Sequence, residues 1–371
     1  MRDPRIDKLA DVLVSHSTRV EEGDVVLING FDLPDNQLVS ALIERIGSRG
    51  GRPILELSDN ASLRSLYLHA PRETFELLGK IDAERMKQCD CYIGIRGSTN
   101  TSEMVDVPAD RLEMVQTLWR KPVHLENRVP NTRWVVLRYP NASMAQAADM
   151  STPAFEDYYF DVCTADYAAM AERQKPLVKA MEAAREVRIT GPGTDLTFNI
   201  EGIPVVPCSG LRNIPDGEVF TCPHRESANG QITYNTPSRY QGQVFKDICF
   251  TFENGRIVRA TCDGDETRLN QILDTDEGAR YLGEWSMGCN NAVTEPMLDT
   301  LFDEKIGGSM HLTPGNAYES ADNGNKSAVH WDIVLRQTAD CGGGEIWFDG
   351  ECVRRDGLFL PSELQPLNEG L

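Results

Sequence analysis

The stretch that decides the fold is DVVLINGFDLPDNQLVSALIERIGSRGGRPILELS, residues 24–58. It passes from an apolar segment, DVVLING (24–30), through an amphipathic segment, DNQLVSALIERIG (35–47), to a second apolar segment, RPILELS (52–58). Such a pattern predicts a strand, a helix and a strand. The segments CDCYIGIRG (89–97) and RWVVLRYP (133–140) continue the alternation. Strands that alternate with helices are typical of an α/β domain with a mainly parallel sheet.

The second half of the chain has a different pattern. Residues 150–187 are rich in helix formers and predict connecting helices, after which short strands are separated by turn dipeptides. Asn254-Gly255 and Asp349-Gly350 both lie between alternating segments, and such dipeptides are strong hairpin signals. We therefore predict an α/β domain with connecting helices over residues 1–185. A β-rich α+β domain is predicted over residues 186–371.

Composition limits the class of protein. The 371 residues carry a net charge of −20, which argues against nucleic acid as a partner, because nucleic-acid binding depends on cationic contacts to phosphate. No stretch approaches the roughly 18 apolar residues that a membrane helix needs, and the N-terminus has no signal-peptide pattern. The ten cysteines are therefore interpreted as reduced thiols. We expect a cytoplasmic protein that does not associate with membranes.

Several familiar catalytic motifs are missing from the sequence, namely HExxH, GxSxG, a Walker A loop and GxGxxG. Two carboxylates in apolar surroundings are more informative. Glu218 follows a turn in NIPDGEVFTCP, and Glu284 lies in YLGEWSMGCNNAV. A buried carboxylate is costly unless it is paired or binds a cation, so both residues are candidate metal ligands. The alternative is that each lies on the solvent face of a half-buried strand.

Two histidines and an aspartate form a second set of candidates. His330 and Asp332 flank Trp331 in VHWD, and residues two apart on a strand point to the same face. His311 precedes Tyr318 in HLTPGNAY. Imidazole and carboxylate ligands suit Zn, Mn, Co or Fe, whereas closed structural zinc sites favour cysteine. The alternative is a set of ordinary hydrogen-bonded polar residues in a β-rich domain.

Taken together, these motifs resemble the aminopeptidase T and aminopeptidase S family of metallo-exopeptidases. The resemblance also covers EEGDVVLING, TRWVVLRYPNASMAQAADMS, RITGPGTDLTF and WFDGE. It implies a homodimer that removes N-terminal amino acids from small peptides. It further implies two divalent metal ions (Zn, Co, Mn or Mg), with the ligands Glu218, Glu284, His311, His330 and Asp332. Tyr318 and Glu284 are the candidate catalytic residues. Cys222 and His224 depart from the family pattern and affect the expected substrate preference.

A different chemistry on the same fold remains open. His311, His330 and Asp332 also form the two-histidine, one-carboxylate set of non-haem Fe(II) oxygenases. Some relatives of these aminopeptidases resemble ring-cleaving dioxygenases of hydroxypyridines or metal-dependent aromatic hydrolases. Glu218 and Glu284 favour the peptidase, because a mononuclear iron site has little use for both. Asp195 is a candidate partner for the substrate ammonium, although a turn aspartate is the alternative interpretation.

Overall fold

The computed structural model describes residues 2–371 and contains two compact units. Unit 1 comprises the residues up to Ala165 together with Gly210–Ile214, and unit 2 comprises Asp166–Ser209 and Pro215–Leu371. The predicted domain boundary between residues 185 and 186 stays a prediction, because a division into compact units does not test which segments fold independently.

Eleven α-helices occur along the described chain, and two π-helical segments, Val12–Ser17 and Gln116–Arg128, extend helices of unit 1. Short 3₁₀ turns lie at Glu277–Arg280, Glu319–Ala321, Ala339–Cys341 and Gln365–Asn368. The α-helices are α1 (Pro4–Asp11), α2 (Gln37–Ser48), α3 (Asn60–His69), α4 (Arg72–Met86), α5 (Ala109–Val115), α6 (Val129–Asn131), α7 (Ala142–Ala147), α8 (Thr152–Cys163), α9 (Tyr167–Ala183), α10 (Glu266–Leu273) and α11 (Thr300–Asp303).

Nineteen strands are distributed over three sheets. The strands are β1 (Val25–Phe31), β2 (Arg52–Ser58), β3 (Cys91–Arg96), β4 (Arg133–Arg138), β5 (Glu186–Gly191), β6 (Thr194–Asn199), β7 (Val206–Cys208), β8 (Asn213–Ile214), β9 (Glu218–Thr221), β10 (Asn229–Thr233), β11 (Ser238–Tyr240), β12 (Gln243–Glu253), β13 (Arg256–Asp263), β14 (Leu282–Gly288), β15 (Ser309–Pro314), β16 (Ile333–Arg336), β17 (Glu345–Phe348), β18 (Glu351–Arg355) and β19 (Leu358–Phe359).

Unit 1 is built on a five-stranded parallel sheet with the order β2-β1-β3-β4-β8. The central strands β1 and β3 are almost entirely buried, as expected for parallel strands covered by helices on both faces. The edge strand β2 alternates between exposed and half-buried residues. The predicted strands 24–30, 52–58, 89–97 and 133–140 thus correspond to the four long strands of this sheet.

Unit 2 contains two antiparallel sheets. The larger has nine strands, with the order β11-β12-β10-β6-β5-β17-β18-β19, and β13 pairs with β12. The smaller, which we call the site sheet, has the order β16-β15-β14-β9-β7. One apolar core draws residues from both sheets, including Phe198, Phe250 and Trp285. The predicted fold class, an α/β part and a β-rich part, is confirmed.

Both predicted hairpins are present. Asn254 and Gly255 join β12 to β13, and Asp349 and Gly350 join β17 to β18. All four residues have positive φ, between 48° and 86°, which is the backbone conformation of a type I′ turn. Among the described residues, none of the helices combines the length and the apolar character needed to span a bilayer.

Two helical glycines of unit 1 provide a matched test of packing. A Cβ added at Gly79 in α4 would lie 2.0 Å from the carbonyl oxygen of Leu118, whereas one added at Gly47 in α2 would meet nothing within 4 Å. We predict that Gly79→Ala lowers the free energy of unfolding by about 1–3 kcal/mol through overpacking. Gly47→Ala should raise it by about 0.5–1 kcal/mol through reduced backbone entropy. Denaturant unfolding measures both, and equal effects would contradict the close approach of α4 to the π-helical segment.

Candidate metal centre

The site sheet has one apolar face and one polar face. On β14, Trp285 and Met287 belong to the apolar core, while Glu284 and Ser286 occupy the alternate positions. Every residue of β14 is buried, so the polar face is covered as well. Successive side chains of a strand point to opposite faces, so core packing on one side aims Glu284 to the other.

The strand register places the predicted residues next to one another on the polar face. Ser286 pairs with His311 of β15, and Gly288 pairs with Glu218 of β9. Glu284 lies two residues before Ser286 and pairs with Thr313. The polar face therefore collects residues that are 66 positions apart in sequence, from Glu218 to Glu284, without any local motif.

His330 and Asp332 approach the same face from the segment before β16. The Thr313 hydroxyl donates a hydrogen bond of 2.6 Å to Asp332 Oδ1. His330 Nδ1 lies 2.8 Å from the carbonyl oxygen of Asn316, which can only accept, so Nδ1 carries the proton and Nε2 is left to face the carboxylates. His330 Nε2 lies 3.3 Å from Asp332 Oδ1. The two side chains lie on one side, although His330 and Asp332 precede β16 and do not lie on a strand as predicted.

Glu284 lies between the two histidines. Its Oε1 is 3.0 Å from His311 Nε2, and its Oε2 is 3.7 Å from His330 Nε2. Glu218 Oε2 lies 3.6 Å from His311 Nε2 and accepts a hydrogen bond of 2.8 Å from the Ser286 hydroxyl. All five predicted ligands thus meet in one cluster, which we call the site cluster: Glu218, Glu284, His311, His330 and Asp332.

Two further charged residues adjoin the site cluster and were missed in the sequence. Lys305 is buried and its Nζ contacts Glu218 Oε1, lies 2.6 Å from Glu304 Oε1 and 3.7 Å from Asp216 Oδ1. Ligand-type atoms of Glu304, His311 and Asp332 lie within 4.8 Å of one another. The only sequence signal was the run Asp303-Glu304-Lys305, and a charge run is usually a solvated surface.

The pKa values of the site cluster are shifted by burial and by the close approach of carboxylates and imidazoles. Burial opposes the charged form of His311, but its hydrogen bond to Glu284 and the neighbouring Glu218 outweigh burial and raise its pKa to about 9. Burial likewise opposes the charge of His330, but Asp332 and Glu284 raise its pKa to about 10. Burial raises the pKa of Glu284 above its usual value. Protons on the two imidazoles here take the place of positive charge that metal ions supply.

Two polar atoms in the site cluster have no hydrogen-bond partner within residues 2–371. They are Glu284 Oε2 and His311 Nδ1, and both are buried. Buried polar atoms are normally satisfied, so the unpaired Glu284 Oε2, which faces His330, fits a site that is completed by a cation. The donor set, three carboxylates and two imidazoles, suits a hard or borderline divalent ion.

A second acidic group shares Glu218 but already contains a cation. Cys208, Asp216 and Glu218 bring ligand-type atoms within 4.8 Å of one another. Lys305 contacts both carboxylates of this group, and burial raises the pKa of the Cys208 thiol well above its usual value. A neutral thiol is a poor metal ligand. This group is therefore a buried ion pair.

The remaining candidates lie in different surroundings. The Tyr318 side chain is 48% exposed and its ring centroid lies 4.5 Å from that of His330, so it stands at the edge of the site cluster. Asp195 lies on β6 and pairs with Arg188 through two hydrogen bonds of 2.9 Å. This exposed pair gives no support to Asp195 as a partner for a substrate ammonium. Cys222 is buried beside Phe220 in a small apolar cluster.

A buried set of carboxylates and imidazoles on one face of an antiparallel sheet has the donor atoms of a divalent-metal site. The chain belongs to the thermophilic metalloprotease (M29) family, whose model matches residues 2–359. Membership of this family implies divalent metal cofactors. Together with relatives that are named as aminopeptidases, it confirms the resemblance to aminopeptidases T and S and the prediction of a metallo-aminopeptidase.

Two curated relatives illustrate the similarity. Aminopeptidase PepS of Streptococcus thermophilus is 24% identical, over 96% of this chain and 96% of the relative. Aminopeptidase T of Thermus aquaticus is 30% identical, over 62% of this chain and 64% of the relative.

Solved structures show how widely the fold is shared. Wild-type AmpT from Thermus thermophilus matches with a TM-score of 0.82 and 22% identity, over 96% of this chain and 99% of that chain. The 2,5-dihydroxypyridine dioxygenase of Pseudomonas putida KT2440 matches with a TM-score of 0.61 and 14% identity, over 97% and 98%. At these identities the structural matches show the fold alone.

Lys305 and Lys175 provide a matched test of the buried ion pairs. We predict that Lys305→Met lowers the free energy of unfolding of the metal-free protein by about 3–5 kcal/mol, because it leaves buried carboxylates without a cation. Lys175→Met removes an exposed pair with Glu172 and should cost less than about 1 kcal/mol. Denaturant unfolding with and without added Mn²⁺ measures both, and added metal should restore part of the loss in Lys305→Met. Equal costs in the two variants would contradict the role of Lys305 as a buried counter-ion.

Proposed function

We propose that the site cluster holds two divalent cations that share Glu284, and that the loaded enzyme removes N-terminal residues from peptides. The observation that carries the proposal is a pair of three-residue groups that meet at Glu284. One group adds Glu218 and His311, the other adds His330 and Asp332, and within each group the ligand atoms lie within 4.8 Å of one another. Zn, Co, Mn or Mg suits these oxygen and nitrogen ligands.

Two cations held here supply a bound water of lowered pKa and a Lewis acid for the scissile carbonyl. The chain contributes the orientation of the ligands. Three of the ligands are oriented by hydrogen bonds to residues outside the ligand set. His330 bonds to the Asn316 carbonyl, Asp332 to the Thr313 hydroxyl, and Glu218 to the Ser286 hydroxyl. Such outer partners set the tautomer and direction of a ligand and are a regular feature of metal sites.

We assign Tyr318 to binding of the substrate carbonyl and Glu304 to proton transfer. Tyr318, whose ring centroid lies 4.5 Å from that of His330 at the edge of the site cluster, would donate a hydrogen bond from its hydroxyl to the carbonyl oxygen of a peptide, a contribution of about 3 kcal/mol to the transition state. Glu304 belongs to neither three-residue group around Glu284 and is held 2.6 Å from Lys305. Glu304 also lies within 4.8 Å of ligand atoms of His311 and Asp332, but it is already paired with Lys305, so we assign it, together with Glu284, to proton transfer.

The ring-cleaving alternative uses a smaller ligand set. His311, His330 and Asp332 satisfy the pattern of a mononuclear iron site, and the Pseudomonas dioxygenase shares the fold. The peptidase is favoured because Glu284 lies between the two histidines with Oε2 unpaired, and because the family model is that of a metalloprotease.

We also propose that the enzyme works as a homodimer in the cytoplasm. The dimer rests on the family resemblance, and the location is supported by ten free cysteines. Light scattering tests the dimer, and a strict monomer would contradict it.

The ligand assignment predicts the behaviour of two variants. His330→Ala and Asp332→Asn should each abolish peptide hydrolysis while the circular dichroism spectrum stays unchanged, because ligand loss removes chemistry more than packing. Metal analysis after dialysis should give about two ions per chain for the wild type and fewer for both variants. His69→Ala and Asp195→Asn are matched controls outside the site cluster and should keep activity and metal. Normal activity in either ligand variant would show that the assignment is wrong.

The substrate class predicts a second contrast. With Mn²⁺, Co²⁺ or Zn²⁺ present, short peptides with a free N-terminus should lose their first residue, and N-acetylated peptides should stay uncut. The strongly acidic chain favours a cationic ammonium over a neutral amide. Dihydroxypyridine and nitroanthranilate-like rings, assayed under air with Fe²⁺, serve as the comparison. Turnover of a ring without peptide hydrolysis under any metal would contradict the proposed function.

A further inference from the structure

Unit 1 contains a cavity of about 470 Å³ at the carboxyl ends of its parallel strands. Phe31, Arg96 and Arg138, the last residues of β1, β3 and β4, all line it. From β1 the chain first adds β2 on one side and then β3 on the other, so the sheet order reverses between β1 and β3. In open α/β sheets, the crevice at such a reversal is the preferred place for a ligand. The volume is that of a small-molecule site.

The cavity is basic in a strongly acidic chain. Its charged lining residues are Arg96, Arg120, Arg128, Arg138 and a single carboxylate, Glu103, and His124 lines it as well. We call this cavity the basic pocket. Arg120, His124 and Arg128 recur at every fourth residue of the π-helical segment and therefore lie along one side of it. Local irregularities of this helical kind occur frequently at functional sites.

Two of the arginines are held by aromatic rings. The Arg128 guanidinium lies 4.2 Å from the ring centroid of Trp134, and that of Arg120 lies 4.1 Å from the ring centroid of Trp119. Arg120 also donates a hydrogen bond of 3.0 Å to the Tyr67 hydroxyl. Stacking fixes a guanidinium plane while its N–H groups stay free for an anion.

Arg128 has hydrogen-bond donors in the basic pocket that no described residue accepts from. Its Nε and Nη1 are buried without a hydrogen-bond partner among residues 2–371. Burial lowers the pKa of Arg128 to about 10, and the nearby positive charges of Arg96 and Arg212 act in the same direction. Burial, Arg128 and Arg120 lower the pKa of His124 to about 3, so His124 is neutral at pH 7. A buried arginine with free donors costs stability unless an anion binds it.

We infer that the basic pocket binds a small organic molecule that carries two negative charges next to an aromatic or apolar group. The guanidinium groups recognise the anionic end, because they match phosphate and carboxylate oxygens with paired donors. Phe31, Tyr67 and Tyr92 line the same cavity and provide contacts for the apolar part. A phosphate monoester and a dicarboxylate share this chemistry. All the lining residues belong to unit 1, whereas the site cluster belongs to unit 2.

Isothermal titration calorimetry of the metal-loaded full chain tests the inference with inorganic phosphate, phenyl phosphate and succinate. Phenyl phosphate should bind once per chain and more tightly than inorganic phosphate, because the rings add contacts. Inorganic phosphate and succinate both lack a ring, so tighter binding of inorganic phosphate identifies the anion as phosphate, and tighter binding of succinate identifies it as carboxylate. Arg120→Met and Arg128→Met should each weaken binding at least tenfold. Arg72→Met, an exposed arginine of α4 paired with Glu76, is the matched control and should bind like the wild type.

Two further measurements test where the anion binds and whether Arg128 lacks a counter-charge. Asp332→Asn should keep the wild-type affinity for phenyl phosphate, because that residue lies in the site cluster; loss of binding in this variant would place the anion at the metals and overturn the inference. Arg128→Met should raise the melting temperature of the ligand-free protein, because it removes an uncompensated buried charge. No binding of any of the three anions at 10 mM, or unchanged affinity in both pocket variants, would also overturn it.

Discussion

Glu284 carries a carboxylate into the interior of unit 2, and the burial of that charge is the constraint on which the rest of the site depends. Its two oxygens face different imidazoles, with Oε1 3.0 Å from His311 Nε2 and Oε2 3.7 Å from His330 Nε2. An ionised carboxylate away from water costs several kcal/mol unless positive charge surrounds it. Trp285, the next residue, packs into the apolar core, and Glu284 on the opposite face is only 4% exposed. Burial raises the pKa of Glu284, so positive charge from the two imidazoles or from a bound cation is needed to favour its ionised form.

Lys305 limits how that negative charge is distributed. It contacts Glu218, Glu304 and Asp216, so a single ammonium is shared by three carboxylates at one side of the site cluster. Glu218 keeps one oxygen on Lys305 and turns the other towards His311. Glu284 and Asp332 have no comparable lysine and rely on the two histidines. The two ends of the site cluster therefore differ chemically. Lys305 provides a permanent positive charge beside Glu218, whereas Glu284 and Asp332 have only the histidines or a bound metal ion.

The amino-acid sequence was sufficient to predict the four long strands of unit 1 and both hairpins, because apolar periodicity and Asn-Gly or Asp-Gly turns are local signals, whereas the short strand β8 was not predicted. Glu218 and Glu284 were recognisable as carboxylates in apolar surroundings, and His311 was a candidate through the motif HLTPGNAY and the family resemblance. Glu304 and Lys305 were not recognised as site residues. A run of charged residues usually lies on the solvent-exposed surface, and only the structure shows that these two are buried. The basic pocket was also missed, because its arginines come from the ends of separate strands and from one helix. The sheet order places the ends of β3 and β4, with Arg96 and Arg138, side by side.

An anomalous difference map from a crystal of the manganese-loaded protein tests the central claim, the sharing of Glu284 by two cations, most directly. Two peaks about 3.5–4 Å apart are expected. The first should be bound by Glu218, Glu284 and His311, and the second by Glu284, His330 and Asp332. A single peak bound by His311, His330 and Asp332, with Glu218 held by Lys305 alone and Glu284 outside the coordination sphere, would contradict it.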